Sequence, residues 1–280
     1  MLGEADRREA GGTGAGLTAL EGVLAPLGSA CVAFSGGVDS ALVLVVAARA
    51  LGPHRVVAFT ASSETYREAE LAAARDFAAS VGVRHVVRHT SELDDPCFAD
   101  NPPERCYYCK GYLVAELRAV AEREGCAVLI DGANRDDLGD HRPGLGAADE
   151  AGVRHPLIEA GLDKAAVRAL SRFLGLSTWD RPQQACLASR IPYGERITVE
   201  KLRQVAAAED ALRELGFRQC RVRHHGPIAR VEVDEGDMER AAGALREELV
   251  RRLRALGFTY VTLDLAGFRS GSMNEALPGR

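Results

Sequence analysis

One stretch, Ala30-Cys-Val-Ala-Phe-Ser-Gly-Gly-Val-Asp-Ser40, constrains this chain more than any other. The apolar run from Ala30 to Phe34 predicts a buried strand that stops at Ser35-Gly36-Gly37. The small and apolar residues from Ser40 to Leu51 predict a helix. A strand that passes through two glycines into a helix start is suited to receive an anion. The glycines let the backbone approach closely, and the helix N-terminus offers unpaired N–H groups and partial positive charge. Ser35 and Ser40 add hydroxyl donors. Asp39 would repel a phosphate arriving alone, but it suits one that brings magnesium, because carboxylates and phosphates share that metal. The alternative is an ordinary tight strand-to-helix turn.

The spacing excludes two commoner phosphate cradles. No Lys-Ser/Thr pair follows the glycines, so this is not a Walker loop, and there is no G-x-G-x-x-G fingerprint. Ser35-Gly-Gly-Val-Asp-Ser40 resembles the pyrophosphate loop (PP-loop) of the ATP pyrophosphatase families. That resemblance implies ATP and Mg2+ as cofactors, cleavage between the α and β phosphates, and transfer of AMP to an oxygen of the substrate.

At 280 residues the chain has room for one large or two ordinary domains. No apolar run approaches the length of a membrane span, and the N-terminus has no signal-peptide core, so no membrane partner is expected. A net charge of −5 argues against a nucleic-acid partner, which usually needs a basic face. Seven cysteines, an odd number without the pattern of a small disulfide scaffold, suggest a reducing cytoplasmic setting where thiols serve metal or chemistry.

Residues 1–15, with Gly11, Gly12 and Gly14, are expected to be a flexible tail, followed by a short helix with Leu17, Leu20, Leu24 and Leu27 on one face. Further strands are expected at Val56–Thr60, His85–His89 and Cys126–Ile130. The helices between them include one opened by a Thr65/Glu68 capping box and one over Tyr107–Glu124. Strands alternating with amphipathic helices predict an α/β fold, a doubly wound parallel sheet. Ligands of such sheets sit beyond the C-terminal ends of the strands, where the cradle, Ser62 and Asp131-Gly132 fall. The polar, glycine-rich segment from Gly132 to Leu157 predicts a long loop, and a helix follows from Asp163 to Leu174. Beyond residue 195 the pattern changes to helix, strand, strand, helix, strand, a smaller C-terminal α+β domain. The expected boundaries are 16–195 for the PP-loop domain and 196–280 for the second. Leu-Gly-Phe at 215–217 and 256–258 reads as one helix-closing device used twice.

Cys106-Tyr-Tyr-Cys109-Lys110 places two sulfurs on one helical face. Two soft ligands do not complete a site, and a redox dithiol or two buried thiols are alternatives. Cys186 supplies a third candidate thiolate. Three thiolates on a cubane would leave one iron open to an exogenous ligand such as sulfide, and zinc remains an option. Cys31, Cys97, Cys126 and Cys220 read as ordinary thiols, with Cys31 and Cys126 inside buried strands. Arg190, Arg221 and Arg223 are candidate anion clamps, since the planar guanidinium fork suits carboxylate and phosphate. Arg269-Ser270-Gly271 is a weaker candidate.

A resemblance now covers nearly the whole chain. Ser35–Ser40, Cys106-Tyr-Tyr-Cys-Lys110, Asp131-Gly132 with Arg142-Pro-Gly144, Cys186-Leu-Ala-Ser-Arg-Ile-Pro-Tyr-Gly194, Arg221-Val-Arg223 and Thr262-Leu-Asp-Leu-Ala-Gly-Phe-Arg-Ser-Gly271 are similar to the LarE family of ATP-dependent sulfur transferases. The resemblance implies a small-molecule substrate, pyridinium-3,5-biscarboxylic acid mononucleotide, in nickel-pincer cofactor biosynthesis. A carboxylate of that substrate is adenylylated, and sulfur then displaces AMP to leave a thiocarboxylate. Ser35, Gly36, Gly37, Asp39 and Ser40 would take phosphates and magnesium. Ser62 and Gly132 would flank adenosine. Arg190, Arg221 and Arg223 would hold substrate or phosphate, with Glu232 as a supporting acid. Family members differ in sulfur source. Those with three cysteines carry a [4Fe-4S] cluster that relays an extra sulfide, whereas others sacrifice the sulfur of the position matching Cys186. Cys106, Cys109 and Cys186 together favour the cluster. The resemblance also implies a homo-oligomer. A tRNA-thiolating PP-loop enzyme is the nearest rival reading.

Overall fold

The computed structural model describes residues 4–139, 143–182, 185–269 and 272–276. The chain divides into two compact units. One comprises Met1–Ser62, Glu68–Thr90 and Cys106–Arg181; the other comprises Ser63–Arg67, Ser91–Arg105 and Pro182–Arg280.

The first unit begins with α1 (Glu4–Leu24), β1 (Ala30–Ala33), α2 (Val38–Leu51), β2 (Val56–Ser62), α3 (Glu68–Val81) and β3 (Arg84–His89). After α4 (Pro96–Ala99), which belongs to the second unit, it continues through α5 (Arg105–Glu124), β4 (Val128–Ile130), α6 (Pro143–Glu150), α7 (Pro156–Glu159) and α8 (Lys164–Phe173). Its strands form a parallel sheet in the order β3-β2-β1-β4. Because side chains alternate along a strand, β1 feeds two cores. Ala30 and Val32 join α1, α2 and α8 through Leu24, Leu42, Val46 and Leu170. Cys31 joins the layer under α5 and α6 with Leu117, Val120, Leu129 and Ala148. Covering both faces is what the doubly wound reading requires. Helix α2 is buried along almost its full length, from Val38 through Ala48, which explains its apolar composition on every side.

The second unit contains α9 (Val199–Glu214), β5 (Cys220–His225), β6 (Ile228–Val233), α10 (Met238–Ala242), α11 (Arg246–Ala255) and β7 (Tyr260–Leu263). Its sheet has the order β5-β6-β7. β5 and β6 form an antiparallel hairpin around Gly226, and β6 pairs parallel with β7 after the α10–α11 crossover. The two Leu-Gly-Phe segments do one job. Gly216 and Gly257 adopt φ of 87° and 96°, and the amides of Phe217 and Phe258 donate to Leu212 and Leu253 as both rings enter the core.

Four local expectations need correction. A helix runs from Glu4, well before residue 16. Gly14 lies inside that helix, where a Cβ would meet nothing within 4 Å among the described residues, and close packing begins at Gly16, where a Cβ would lie 3.3 Å from Leu162. The polar segment after Gly132 contains α6 and α7, each with proline in its first turn and small or apolar residues buried beneath. Thr65 does not cap α3, because its hydroxyl bonds Ser63 Oγ at 2.9 Å and the helix starts at Glu68. Cys126 precedes β4 and is only half-buried, in the turn that closes α5. Asp140, His141, Arg142, Ser270 and Gly271 lie outside the described residues.

Candidate active site

The cradle forms where β1 leaves the sheet. Gly36 takes φ 72°, a left-handed conformation that favours glycine, and a Cβ there would sit 3.3 Å from that of Ala74. Gly37 occupies the N-cap of α2 without a capping side chain, so no side-chain oxygen of the loop claims the helix's first N–H groups from that position. The two hydroxyls brace the turn. Ser40 Oγ accepts from the Ser35 amide and contacts Ser35 Oγ, both at 3.2 Å, and donates to Gly37 O at 3.2 Å.

Asp39, in the first turn of α2, is held by two residues remote in sequence. Asn134 Nδ2 donates to its Oδ1 at 3.2 Å, and Lys164 forms an ion pair with its Oδ2. Asn134 is itself buried, its backbone N–H donating to Asp137 Oδ2 and its side-chain Oδ1 accepting from Asp136 N. Gly132 matters for packing: a Cβ would fall 2.7 Å from Ser40 N and 3.0 Å from Ser40 Cα. The β4 exit therefore rests directly on the cradle's helix. Ser62 ends β2 on the same edge of the sheet and accepts from the Thr90 amide at 3.0 Å.

Next to Gly132, buried Asp131 accepts from Lys110 at 2.8 Å and meets His155 Nδ1 at 2.7 Å. His155 Nε2 lies 3.0 Å from Asp149. Burial alone would raise the Asp131 carboxyl, but the hydrogen bonds and charges of His155 and Lys110 outweigh it and hold the group far below the usual range. Burial lowers His155 in turn, yet its bonds to Asp131 and Asp149 leave it raised overall. Lys110 thus fastens the cysteine-bearing start of α5 to the same strand exit that abuts the cradle.

In the second unit the candidate arginines differ sharply. Arg190 is buried, with Nε and Nη2 on the Glu209 carboxylate at 2.7 and 3.1 Å, and Nη1 on the carbonyl of Ala185 at 2.7 Å. Arg223 is likewise buried, with a forked pair to Glu232 at 2.9 and 2.8 Å and further bonds to Ser189 O and Ser272 Oγ. These two guanidinium groups are committed to carboxylates. Arg221 is not. It is 4% exposed, its Nε has no hydrogen-bond partner among the described residues, and its guanidinium lies 4.5 Å over the Phe268 ring. Burial, and then the like charges of Arg190 and Arg223, push it down to about 10. A buried cation with an open donor edge has chemistry suited to receiving an anion. Glu232 faces Arg223, Arg230 and Ser272.

Comparison with known proteins decides the family. A family model described as asparagine synthase matches residues 26–108, the stretch that contains the cradle. The chain is 42% identical over 249 residues to the pyridinium-3,5-bisthiocarboxylic acid mononucleotide synthase of Lactiplantibacillus plantarum, covering 88% of this chain and 89% of that protein. The chain belongs to the LarE family. An uncharacterised protein of Synechocystis is 45% identical over 90% of this chain and 94% of its own length. The NH(3)-dependent NAD(+) synthetase of Chlorobaculum tepidum is 32% identical over 57% of this chain and 58% of its own.

As a LarE-family chain, it presents its cysteines as follows. Cys106 and Cys186 are exposed, Cys109 is half-buried, and there is no disulfide among the described residues. Cys186 sits at the N-cap of the 3-10 turn Leu187–Arg190. No group of three His, Cys, Asp or Glu side chains placed to hold a metal is found among the described residues. No helix among the described residues is long and apolar enough to cross a membrane. Sequence reasoning missed Asn134, Lys164, His155 and Glu209. Glu209 is fully buried mid-helix and gathers Arg67, Arg190, Arg213 and the Val222 amide. Burial would raise its carboxyl, but the charge and hydrogen bonds of Arg190, then the charges of Arg67 and Arg213, hold it low. Its one sequence signal is an acid at the α9 position where Val205, Ala208 and Leu212 point inward.

Proposed function

We propose that this protein is an ATP-dependent sulfurtransferase that adenylylates the carboxylates of pyridinium-3,5-biscarboxylic acid mononucleotide and converts them to thiocarboxylates. The observation that carries the reading is near full-length similarity to a synthase of the bisthiocarboxylic acid mononucleotide, joined to a cradle with Ser35, Gly36, Gly37, Asp39 and Ser40 all in place. A carboxylate is a poor acyl donor. Its oxygen attacks the α-phosphorus, the bond to the bridging oxygen breaks, and pyrophosphate departs with the electron pair. The acyl-adenylate then accepts a sulfur nucleophile and releases AMP.

Within that chemistry the helix start of α2 and the loop N–H groups bind phosphate oxygens. Asp39 is a hard oxygen donor at the mouth of the cradle and fits magnesium, which would neutralise phosphate charge there. Ser62 and Gly132 mark the strand exits assigned to adenosine. Arg221 takes an anionic group of the mononucleotide. Arg190 and Arg223 support it by occupying Glu209 and Glu232, which would otherwise cancel its charge.

For the sulfur source we favour the three-cysteine mode, in which Cys106, Cys109 and Cys186 hold a [4Fe-4S] cluster. Thiolates are the right donors and all three are at least partly accessible. The described residues show no preassembled three-ligand group, so no step of the reaction is assigned to the cluster. The alternative is sacrifice of the Cys186 sulfur.

The reaction is tested by pyrophosphate release from ATP in the presence of the dicarboxylate mononucleotide. Release that ignores the mononucleotide, or formation of ADP instead, sinks the proposal. Intact-protein mass after turnover separates the sulfur sources. A loss of one hydrogen sulfide marks sacrifice, whereas unchanged mass with an iron–sulfur absorbance that Cys106→Ala abolishes marks the cluster.

A further inference from the structure

One more charged side chain reaches the cradle. Arg181 follows α8 by a short turn, and its Nη1 donates to the carbonyl of Gly36 at 2.8 Å. The same nitrogen would lie 3.6 Å from a Cβ on Gly36. The backbone that carries Arg181 is fastened to α8. Arg168 donates to the carbonyls of Trp179 and Arg181, both at 2.7 Å. The Arg181 amide bonds Thr178 O at 3.1 Å, Leu176 N bonds Ser171 O at 2.9 Å, and Arg172 lies 5.2 Å over the Trp179 ring. The side chain therefore projects from a fixed base onto the loop.

A guanidinium carries five N–H donors. Gly36 takes one, and no carboxylate pairs with Arg181 among the described residues. The other cation at the cradle, Lys164, is already paired with Asp39. A single bond to a neutral carbonyl makes no use of a full positive charge. A triphosphate lying in the loop would, because the remaining fork matches two phosphate oxygens.

We propose that Arg181 is a ligand of the β and γ phosphates of ATP and carries part of the charge that develops on the departing pyrophosphate. This rests on the ATP-dependent reading above. As the bond between the α-phosphorus and the bridging oxygen breaks, negative charge grows on the β-phosphate, and a positioned cation there stabilises the transition state. The residue lies outside the PP-loop motif and is brought to it only by the fold.

The test compares magnesium-dependent binding of ATP and AMP to the full chain, in the wild type and in Arg181→Met and Arg181→Lys. The expected result is a loss of ATP affinity of at least about tenfold in Arg181→Met with AMP binding little changed, and a smaller loss in Arg181→Lys, which keeps the charge but not the fork. Pyrophosphate should also inhibit Arg181→Met less than the wild type. Parallel loss of ATP and AMP binding would show a structural brace and overturn the proposal, as would unchanged ATP affinity in both variants. Arg181→Lys keeps the test informative if the methionine variant does not fold. Binding of ATP without pyrophosphate release on addition of the mononucleotide would count against the sulfurtransferase reading alone.

Discussion

Lys164, the first residue of α8, forms an ion pair with Asp39 in the first turn of α2, across 125 residues of sequence. The pair holds the carboxylate at the mouth of the cradle. In the proposed reaction a magnesium–nucleotide complex bound at Asp39 would share or displace that lysine, and Lys164 would balance the carboxylate until then. Lys164→Met is expected to lower pyrophosphate release by roughly tenfold or more. It should also change the magnesium concentration for half-maximal rate, whereas Asp39→Asn should remove most of the magnesium response. Identical magnesium curves for Lys164→Met and the wild type would reduce the pair to a surface contact.

Gly132 and Gly139 form a matched comparison. A Cβ on Gly132 meets backbone atoms of Ser40 at 2.7 and 3.0 Å, while one on Gly139 meets nothing within 4 Å among the described residues. Backbone atoms of a buried helix start cannot step aside as a side-chain tip can. Gly132→Ala should therefore cost about 1–3 kcal/mol, read as a fall of several degrees in melting temperature, with loss of ATP binding. Gly139→Ala should melt with the wild type.

Arg221 gives an opposite sign for stability and function. Its buried charge lacks a carboxylate partner among the described residues and is pushed down to about 10. Removing an unpaired buried charge relieves a desolvation cost. Arg221→Met should match or exceed the wild type in thermal stability, while the KM for the mononucleotide rises by about tenfold or more. Lower stability in that variant would mean that Arg221 already has a structural counter-charge.

The Asp131–His155 pair predicts two limits of pH stability. His155 is raised from its ordinary value of 6.5, so the folded state holds the proton more tightly than the unfolded chain. Its contribution is complete below pH 6.5 and is lost as pH rises through the raised value. Asp131 is depressed, so its contribution is complete above the ordinary 3.8 and is lost as pH falls through the depressed value. Melting temperature measured against pH should show both declines. His155→Gln should flatten the upper one, and an unchanged profile in that variant would exclude the pair as its source.

Much of the architecture was legible in the residues. Apolar runs marked β1, β2 and α2, which are buried on all sides, and helical periods marked α5, α9 and α11, which bury one face. The glycine-rich stretches misled. Gly11, Gly12 and Gly14 fall inside α1, Gly144 of α6 lies against Cys106 and Lys110 of α5, and composition alone does not separate a glycine within a helix from a loose loop. The arginines were recognisable as anion-binding types, but Arg190, Arg221 and Arg223 look alike in sequence. Their difference comes from Glu209, on another helix, and Glu232, on the next strand.

By itself the sequence determined the phosphate cradle, the alternation that builds the sheet around it, and the family. Those are local or periodic properties, written in neighbouring residues. Only the tertiary structure decided which charges are spent and which are open: Lys164 on Asp39, Arg181 on Gly36, Arg190 on Glu209, Arg223 on Glu232, and Arg221 with no acid partner among the described residues. The reason is physical. The state of a charge depends on its burial and on its nearest counter-charge, and each of these counter-charges comes from a different element of the same unit, whether 9 residues away, as Glu232 is from Arg223, or 125, as Lys164 is from Asp39.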